Sequence, residues 1–197
     1  MSAPTPVEML EAEHRVIQKV VAAMAVLAER LDGGEDVDVP LLENVVEFLR
    51  IFADRCHHGK EETFLFPALI RRGVPSHGCP IGGLTMEHQK GRVMVGEFAD
   101  AIRGYAAGEP PARDNLVKSL RALVALYPSH IWKEDYLLFP LAGKVLTPED
   151  QQDLMHKFET VDRELGLDVR EGFDKVATEL ERKVSGIDSK PGNPGTN

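Results

Sequence analysis

The chain has 197 residues, with 23 Lys or Arg and 32 Asp or Glu, and its formal net charge is −9 at pH 7. A chain of this length buries roughly 70% of its unfolded surface without needing disulfide or metal staples. The charges are interspersed, whereas nucleic-acid binders cluster an excess of Lys and Arg, and no apolar run approaches the ~18 residues that span a bilayer. These features predict a soluble globular protein that binds neither nucleic acid nor a membrane.

The first residues, MSAPTPVEMLEAEH, contain no basic segment followed by an apolar one, so we expect no secretory signal. The two cysteines, Cys56 and Cys79, are too few for a disulfide framework and fit a reducing compartment. We therefore expect a cytoplasmic protein. Cys56 is expected to be a buried, inert thiol, whereas Cys79 lies in a proline-glycine loop that leaves a sensor role open.

Helical periodicity dominates the chain, and no stretch alternates for long in the manner of a strand. It predicts four long helices, over residues 6–32, 40–73, 81–108 and 112–146. Pro67 is expected to kink the second helix or to begin a new segment. Pro128 and Pro140 are expected to interrupt the fourth helix.

Four long helices with short links predict an all-α fold, an antiparallel up-down four-helix bundle over residues 1–146. Thr147 is predicted to cap a new helix, with Asp150 reaching back, so residues 147–184 form a C-terminal helical appendage. The appendage either caps the bundle or mediates a homodimer, and the sequence leaves both open. Residues 185–197, rich in Gly, Pro, Ser and Asn, are expected to be a disordered tail.

One pattern occurs twice, 73 positions apart. Residues 57–67 read HHGKEETFLFP and residues 130–140 read HIWKEDYLLFP, so both follow H-x-x-K-E-[ED]-x-x-L-F-P. The dipeptide at residues 13–14, Glu-His, recurs at residues 87–88 with nearly the same offset. We therefore expect two similar helical hairpins, each with one His on its first helix and an H-x-x-x-E pair on its second.

Helical residues four apart lie on one face, about 6 Å apart along the axis, so an H-x-x-x-E pair directs an imidazole and a carboxylate at one point. Apolar neighbours indicate that these pairs face the core, namely Phe48, Phe52, Leu65, Phe66, Trp132, Leu138 and Phe139. Buried polar groups need partners, and a divalent cation binds both neutral imidazole and carboxylate. The predicted metal ligands are His14, His57, Glu61, His88, His130 and Glu134.

Six such ligands are more than tetrahedral zinc accepts, and they suit two octahedral irons with each glutamate able to bridge. Two carboxylates and a bridging oxide or hydroxide offset much of the charge on two ferrous or ferric ions. A single six-coordinate iron is the alternative. The sequence has no HExxH zinc motif, no phosphate-binding glycine loop and no nucleophile elbow.

These residues resemble the hemerythrin-like, or HHE cation-binding, family over about Val7 to Leu146. The resemblance implies a four-helix bundle around a non-haem di-iron centre that meets O₂, nitric oxide or peroxide. By motif position, it implies two pairs of histidines, one for each iron, and two bridging glutamates. The first iron would bind His14 and His57, the second His88 and His130, and the bridges would be Glu61 and Glu134.

One departure from the family concerns the third helix. Oxygen-carrying hemerythrins have two histidines one turn apart there, whereas His88 has Leu84 and Arg92 one turn away. The missing ligand is replaced by Glu11, His58, Tyr127 or water. Fewer protein ligands leave more exchangeable positions, which favours chemistry with peroxide or nitric oxide over reversible O₂ storage.

The favoured function is a non-haem di-iron protein that binds or reacts with O₂, nitric oxide or peroxide under oxidative or nitrosative stress. If it is an enzyme, we expect weak peroxide- or nitric-oxide-consuming turnover. A second hypothesis is an iron- or redox-state sensor without turnover, in which the iron state alters the packing of the helices after Thr147. A third treats the metal as a structural clamp or an iron reserve.

Overall fold

The computed structural model describes residues 4–166 and 168–184. Over these residues the chain forms six helices and no strand, which confirms the predicted all-α class. The helices are α1 (Pro6–Asp32), α2 (39–71), α3 (Ile81–Ala106), α4 (112–145), α5 (Pro148–Leu165) and α6 (Asp168–Val184). The predicted disordered tail, residues 185–197, lies outside the described residues.

Helix α1 begins at a reciprocal cap. The Glu8 N–H donates to the Thr5 hydroxyl at 3.2 Å, and the Thr5 N–H donates to the Glu8 carboxylate at 2.7 Å. Pro6 occupies the first turn, where its missing N–H has no intrahelical partner to lose. The buried face of α1 is apolar except for Glu13 and His14. The helix therefore carries one polar pair into the interior.

Helices α2 and α4 contain π-helical segments, in which an N–H donates to the carbonyl five residues back. These segments are Leu49–His58, Glu61–Leu65 and Glu134–Leu138. The Phe66 N–H donates to the Glu61 carbonyl, and the Phe139 N–H donates to the Glu134 carbonyl. Both halves of the repeat therefore pass through the same wide turn at their predicted ligand glutamates.

The helices continue through the prolines that were expected to interrupt them. Pro67 and Pro140 each lie in the first turn of an α-helical segment that follows a π-helical one, a position where proline is tolerated. Pro128 lies inside the α-helical part of α4, Ala112–Lys133. The expected interruptions at Pro128 and Pro140 are therefore wrong. At Pro67 the backbone changes from π to α geometry within one continuous helix.

The first four helices pack side by side, with α4 against both α1 and α3, and α2 against α3. Arg113, near the start of α4, donates to the Leu31 carbonyl at the end of α1. Asp135, near the end of α4, contacts His14 near the start of α1. Helices α1 and α4 are therefore antiparallel, and the ion pairs between α2 and α3 follow the same reversed order.

The two C-terminal helices pack on the outside of α1 and α2. Helix α5 begins at the predicted cap, in which the Asp150 N–H donates to the Thr147 hydroxyl and the Thr147 N–H donates to the Asp150 carboxylate. In α6, the Phe173 ring lies 5.6 Å from the ring of Phe48 and 5.5 Å from that of Phe52. The appendage therefore covers α1 and α2 within a single chain.

The buried apolar residues form two separate clusters, one toward each end of the first four helices. On α1, Leu10 belongs to one cluster and Ile17 to the other, and Glu13 and His14 lie between them. The same order of apolar, polar and apolar residues occurs along α2, α3 and α4. None of the described helices combines the length and the apolar character needed to cross a membrane.

Candidate metal centre

A layer of polar side chains is buried between the two apolar clusters. Among the described residues, the buried charged and polar side chains are Glu13, His14, His57, His58, Lys60, Glu61, His88, His130 and Glu134. This set includes all six predicted metal ligands, each at most 4% exposed. The structure thus brings together the residues that the repeat singled out. Trp132, which was expected among the core-facing neighbours, is instead 53% exposed.

The four predicted histidine ligands form two pairs. The Nε2 atoms of His14 and His57 lie 2.9 Å apart, and those of His88 and His130 lie 3.2 Å apart. Each pair joins one histidine from the first helix of a hairpin with one from its second helix. This is the pairing that the family resemblance implies.

The two glutamates lie between the histidine pairs. Glu134 places Oε2 3.1 Å from His14 Nε2, and its Oε1 lies 3.2 Å from His130 Nε2 and 3.5 Å from His88 Nε2. Glu61 Oε2 lies 3.8 Å from His57 Nε2 and 3.5 Å from His88 Nε2. Each carboxylate therefore faces both pairs.

Each of these imidazoles turns its second nitrogen, Nδ1, toward a carboxylate outside the centre. The Nδ1 contacts are His14 with Asp135 at 2.7 Å, His57 with Glu13 at 2.9 Å, His88 with Glu62 at 2.7 Å and His130 with Glu87 at 3.1 Å. An ionised carboxylate only accepts hydrogen bonds, so each Nδ1–H donates. Whenever such an imidazole is neutral, its Nε2 atom directs a lone pair into the centre.

These outer carboxylates follow the repeat. Glu13 and Glu87, which precede the first-helix histidines, bind the second-helix histidine of their own hairpin. Each also pairs with the lysine of the repeated motif, Glu13 with Lys60 and Glu87 with Lys133. The acidic residue after each central glutamate instead binds the first-helix histidine of the other hairpin. These contacts account for the K-E-[ED] segment of the motif.

The phenylalanine of each L-F-P segment packs on an imidazole of the opposite hairpin. The Phe139 ring stacks on His14 with centroids 5.4 Å apart, and the Phe66 ring stacks on His88 at 5.9 Å. Both phenylalanines are buried. Each phenylalanine ring thus packs against a face of its imidazole, whereas the carboxylates contact the imidazole nitrogens.

The buried glutamates and histidines of the centre shift one another's pKa values. Burial and the neighbouring Glu134 raise the pKa of Glu61 well above its usual value. Burial also disfavours a charge on Glu134, but His130, His14 and His88 outweigh it and hold the pKa of Glu134 well below its usual value. Burial opposes protonation of His14, yet the neighbouring carboxylates of Asp135 and Glu134 raise its pKa to about 9.

The donor set fits metal ions. The four carboxylate oxygens of Glu61 and Glu134 are buried and have no hydrogen-bond partner in the part of the chain that the structure describes. Their contacts with the imidazole nitrogens lack hydrogen-bond geometry. Buried carboxylate oxygens without hydrogen-bond partners are destabilising unless a cation lies among them.

His58 adds a fifth histidine on one side of the centre. Its ring stacks on His88 with centroids 3.8 Å apart, and it offers a ring nitrogen within 4.8 Å of ligand nitrogens of His88 and His130. Burial lowers the pKa of His58 to about 3 even though Asp54 opposes this shift, so the imidazole is neutral. Glu11 belongs to no such group among the residues that the structure describes.

Sequence reasoning missed Glu13, Glu87, Lys60 and Lys133 as supporting residues. The signal was present, because the Glu-His dipeptide and the motif lysine recur in both hairpins at the same offset as the histidines. A repeated position that has no ligand role is a candidate for holding a ligand in place.

Other titratable residues match their expected roles. Cys56 is buried, its thiol donates to Asp162 at 3.4 Å, and burial raises its pKa to about 12, as expected for an inert thiol. Cys79 is exposed and free. His77 and His156 are exposed and lie away from the centre.

The sequence matches the model of the hemerythrin HHE cation-binding domain over residues 5–142. Similar proteins, described only as uncharacterized, occur in Mycobacterium bovis and in two strains of Mycobacterium tuberculosis, each 28% identical over 155 residues. The aligned region covers 79% of this chain and 60% of each relative, so the chain spans somewhat over half of their length. No solved structure matches this chain. The match over most of the chain shows that it belongs to the hemerythrin HHE cation-binding family.

Proposed function

We propose that this protein holds two non-haem iron ions inside an up-down four-helix bundle formed by α1 to α4, and that it binds or reacts with O₂, nitric oxide or peroxide. The antiparallel pairing of α1 with α4 and of α2 with α3 supports this arrangement. We also propose a cytoplasmic location, which fits two free cysteines.

The observation that carries the proposal is the set of four buried carboxylate oxygens without hydrogen-bond partners among the described residues. They lie between two imidazole pairs. The Cys56 thiol does not contribute a ligand here, because it donates a hydrogen bond to Asp162. A nitrogen and oxygen donor set of this size exceeds what tetrahedral zinc accepts and suits two octahedral ions.

The ligands of the two ions would divide by hairpin. His14 and His57 would bind the first ion, His88 and His130 would bind the second, and Glu61 and Glu134 would bridge. We propose His58 as a further ligand of the second ion, in place of the missing third-helix histidine. Its support is the short approach to His88 and His130 and the neutral state that burial imposes.

Bound iron would supply electrons and a binding position for a small oxygen or nitrogen species. The protein's own residues keep the centre dry and hold its donors still. The Nδ1–H bonds to Asp135, Glu13, Glu62 and Glu87 fix the histidine tautomers and raise the basicity of the inward nitrogens. Phe66 and Phe139 exclude water from two of the imidazole faces.

The proposed reactivity is tested on protein purified without oxygen and loaded with ferrous iron. Stopped-flow mixing with O₂, nitric oxide and peroxide should each time be compared with the metal-free protein. We expect a new near-ultraviolet and visible charge-transfer spectrum with at least one of the three. Glu134→Ala should abolish it, whereas Glu47→Ala, an exposed residue of α2, should not. Iron-loaded protein that responds to none of the three would instead support a structural clamp or an iron reserve.

A sensor role has one specific observation in its favour. Lys60 is fully buried and contacts both Glu13 and Asp162 at 2.5 Å, so a chain of contacts joins His57 to helix α5 of the appendage. If the oxidation state of the iron changes this series of contacts, hydrogen exchange in residues 147–184 should differ between reduced and oxidised protein. Equal exchange in the two states would remove the support for a sensor.

A further inference from the structure

A cavity of about 300 Å³ lies between α2 and α3, directly beside the candidate centre. Its wall includes Arg50, Asp54, His58, Arg92, Gly96 and Tyr127. His58 belongs both to this wall and to the buried histidine group with His88 and His130. The cavity therefore adjoins the residues proposed for the second metal ion.

The wall of the cavity contains both exposed and buried residues. Arg50 and Arg92 are exposed, whereas His58 and Tyr127 are only 6% and 5% exposed. Arg92 is held in place by ion pairs with Asp54 and with Glu62. The cavity thus has a charged mouth and a buried polar floor.

The floor has hydrogen-bonding capacity that the protein does not use. Within residues 4–166 and 168–184, the Tyr127 hydroxyl has no hydrogen-bond partner. His58 also lines the cavity, where its Nδ1 lies 3.4 Å from Asp54, and its other nitrogen is the one proposed above for the second ion. The Tyr127 hydroxyl is not among the fully enclosed unpaired atoms of the described residues, so a small molecule in the cavity can reach it and exchange hydrogen bonds with it.

Glycine keeps the space open on the α3 side. A Cβ atom at Gly96 would meet nothing within 4 Å, so no neighbour occupies the volume beside it. Glycine inside a helix lowers helix stability by about 1 kcal/mol relative to alanine, so packing does not explain the residue here.

We propose that this cavity is the access route and binding site for hydrogen peroxide, a proposal that rests on the proposed function of the centre. Peroxide is small and uncharged, and it both donates and accepts hydrogen bonds, which matches the Tyr127 hydroxyl. O₂ and nitric oxide are weak hydrogen-bond acceptors and gain little from this floor. An apolar groove of about 370 Å³ between α1 and α4 also borders Tyr127, but it contains none of the proposed ligands in its wall.

The first test closes the cavity. Gly96→Leu fills space that is open, and Gly83→Leu is the matched control, since Gly83 is an exposed glycine of the same helix with an equally free Cβ position. Bound iron is measured in each preparation, and rates are expressed per iron. Gly96→Leu should slow the reaction of the ferrous protein with peroxide about tenfold or more, because the added side chain fills the cavity beside the centre. Gly83→Leu should react as the wild type does.

The same variants are then compared in a binding measurement without turnover. Azide is added to the oxidised, iron-loaded protein, and its association rate is followed through the ligand-to-metal absorption band. Gly96→Leu should slow azide association as well, whereas Gly83→Leu should not. Slowing in both measurements separates a blocked route from an altered redox reaction.

The second test removes the hydroxyl and keeps the shape. Tyr127→Phe should slow the peroxide reaction by about five- to tenfold, the effect of one lost hydrogen bond, and should leave the nitric oxide reaction unchanged. Equal slowing of both would overturn the assignment to peroxide. Wild-type rates in Gly96→Leu would overturn the route while leaving the iron centre intact. A protein that takes up no iron would overturn the proposed function itself.

Discussion

At the scale of single residues, the outer carboxylates decide how the four imidazoles point. Asp135 accepts from His14 Nδ1 at 2.7 Å, and three other carboxylates do the same for their histidines. Without these acceptors each ring could carry its proton on the inward nitrogen, which would block metal binding. A ligand histidine in this fold therefore depends on a residue far away in sequence, 121 positions for His14 and Asp135.

The raised pKa of His14 predicts how metal affinity depends on pH. Burial opposes the imidazolium, but Asp135 and Glu134 raise the pKa of His14 to about 9. In metal-free protein His14 therefore stays protonated below about pH 9, and an incoming ion must displace this proton. Affinity should rise with pH from 6.5 to 9, by up to about tenfold per unit for each proton released.

Asp135→Asn should make this pH dependence shallower, because it removes the negative charge that holds the proton on His14. Competition titrations against a chelator at several pH values measure the slope. Asp153→Asn, an exposed change on α5, is the control and should keep the wild-type slope. An unchanged slope in Asp135→Asn would contradict the role given to Asp135.

The sequence could predict which histidines and glutamates converge in the centre but not the residues that support them. The H-x-x-x-E spacing places His57 and Glu61 on the same face of a helix. Because the motif is repeated, the same prediction holds for His130 and Glu134 in the second hairpin. Whether His58 also faces inward depends on the π-helical segment Leu49–His58, because neighbours in an α-helix point about 100° apart. Helix propensity and residue spacing do not predict where a helix changes from α to π geometry.

At the scale of elements, helix α5 is joined to the centre by one buried lysine. Lys60 is fully buried between Glu13 and Asp162, while its counterpart in the second hairpin, Lys133, is one-third exposed and its side chain pairs with Glu87. The two hairpins are therefore alike in the centre and different outside it. The sequence repeat could not foresee this difference, because Asp162 lies outside the repeat.

Asp162→Ala should destabilise the protein by about 2 kcal/mol, since Lys60 then keeps a buried charge with one partner fewer. Asp153→Ala, which removes an exposed ion pair with Lys157 on the same helix, should change stability by less than about 0.5 kcal/mol. Urea unfolding of the iron-loaded proteins measures both. Matching midpoints for Asp162→Ala and the wild type would show that the buried contact does not hold α5 in place.

At the scale of the whole molecule, a polar layer divides the interior into two apolar clusters. The fold class and the four long helices followed from periodicity, and the cap at Thr147 followed from local sequence. The packing of Phe173 in α6 against Phe48 and Phe52 could not be predicted from the sequence. The sequence of an amphipathic helix shows that the helix has an apolar face, but it does not show which surface that face contacts.

Metal removal should lower the thermal stability of the whole chain. Ions bound only by the folded state stabilise it by about 4 kcal/mol at a thousandfold excess over the dissociation constant. For a chain of this size that corresponds to a rise in Tm on the order of 10 °C. Calorimetry with and without a chelator measures the difference. The double variant Glu61→Ala, Glu134→Ala should lose it, and a chelator effect of the same size in that variant would contradict the account.

The central claim is that two metal ions bind among His14, His57, Glu61, His88, His130 and Glu134. The most direct measurement is a titration of metal-free protein with ferrous iron under argon, with bound iron counted per chain. The account predicts saturation at two irons per chain, and a loss of bound iron in Glu134→Ala that Glu47→Ala does not share. Saturation at one iron, no uptake at all, or full uptake by Glu134→Ala would contradict it.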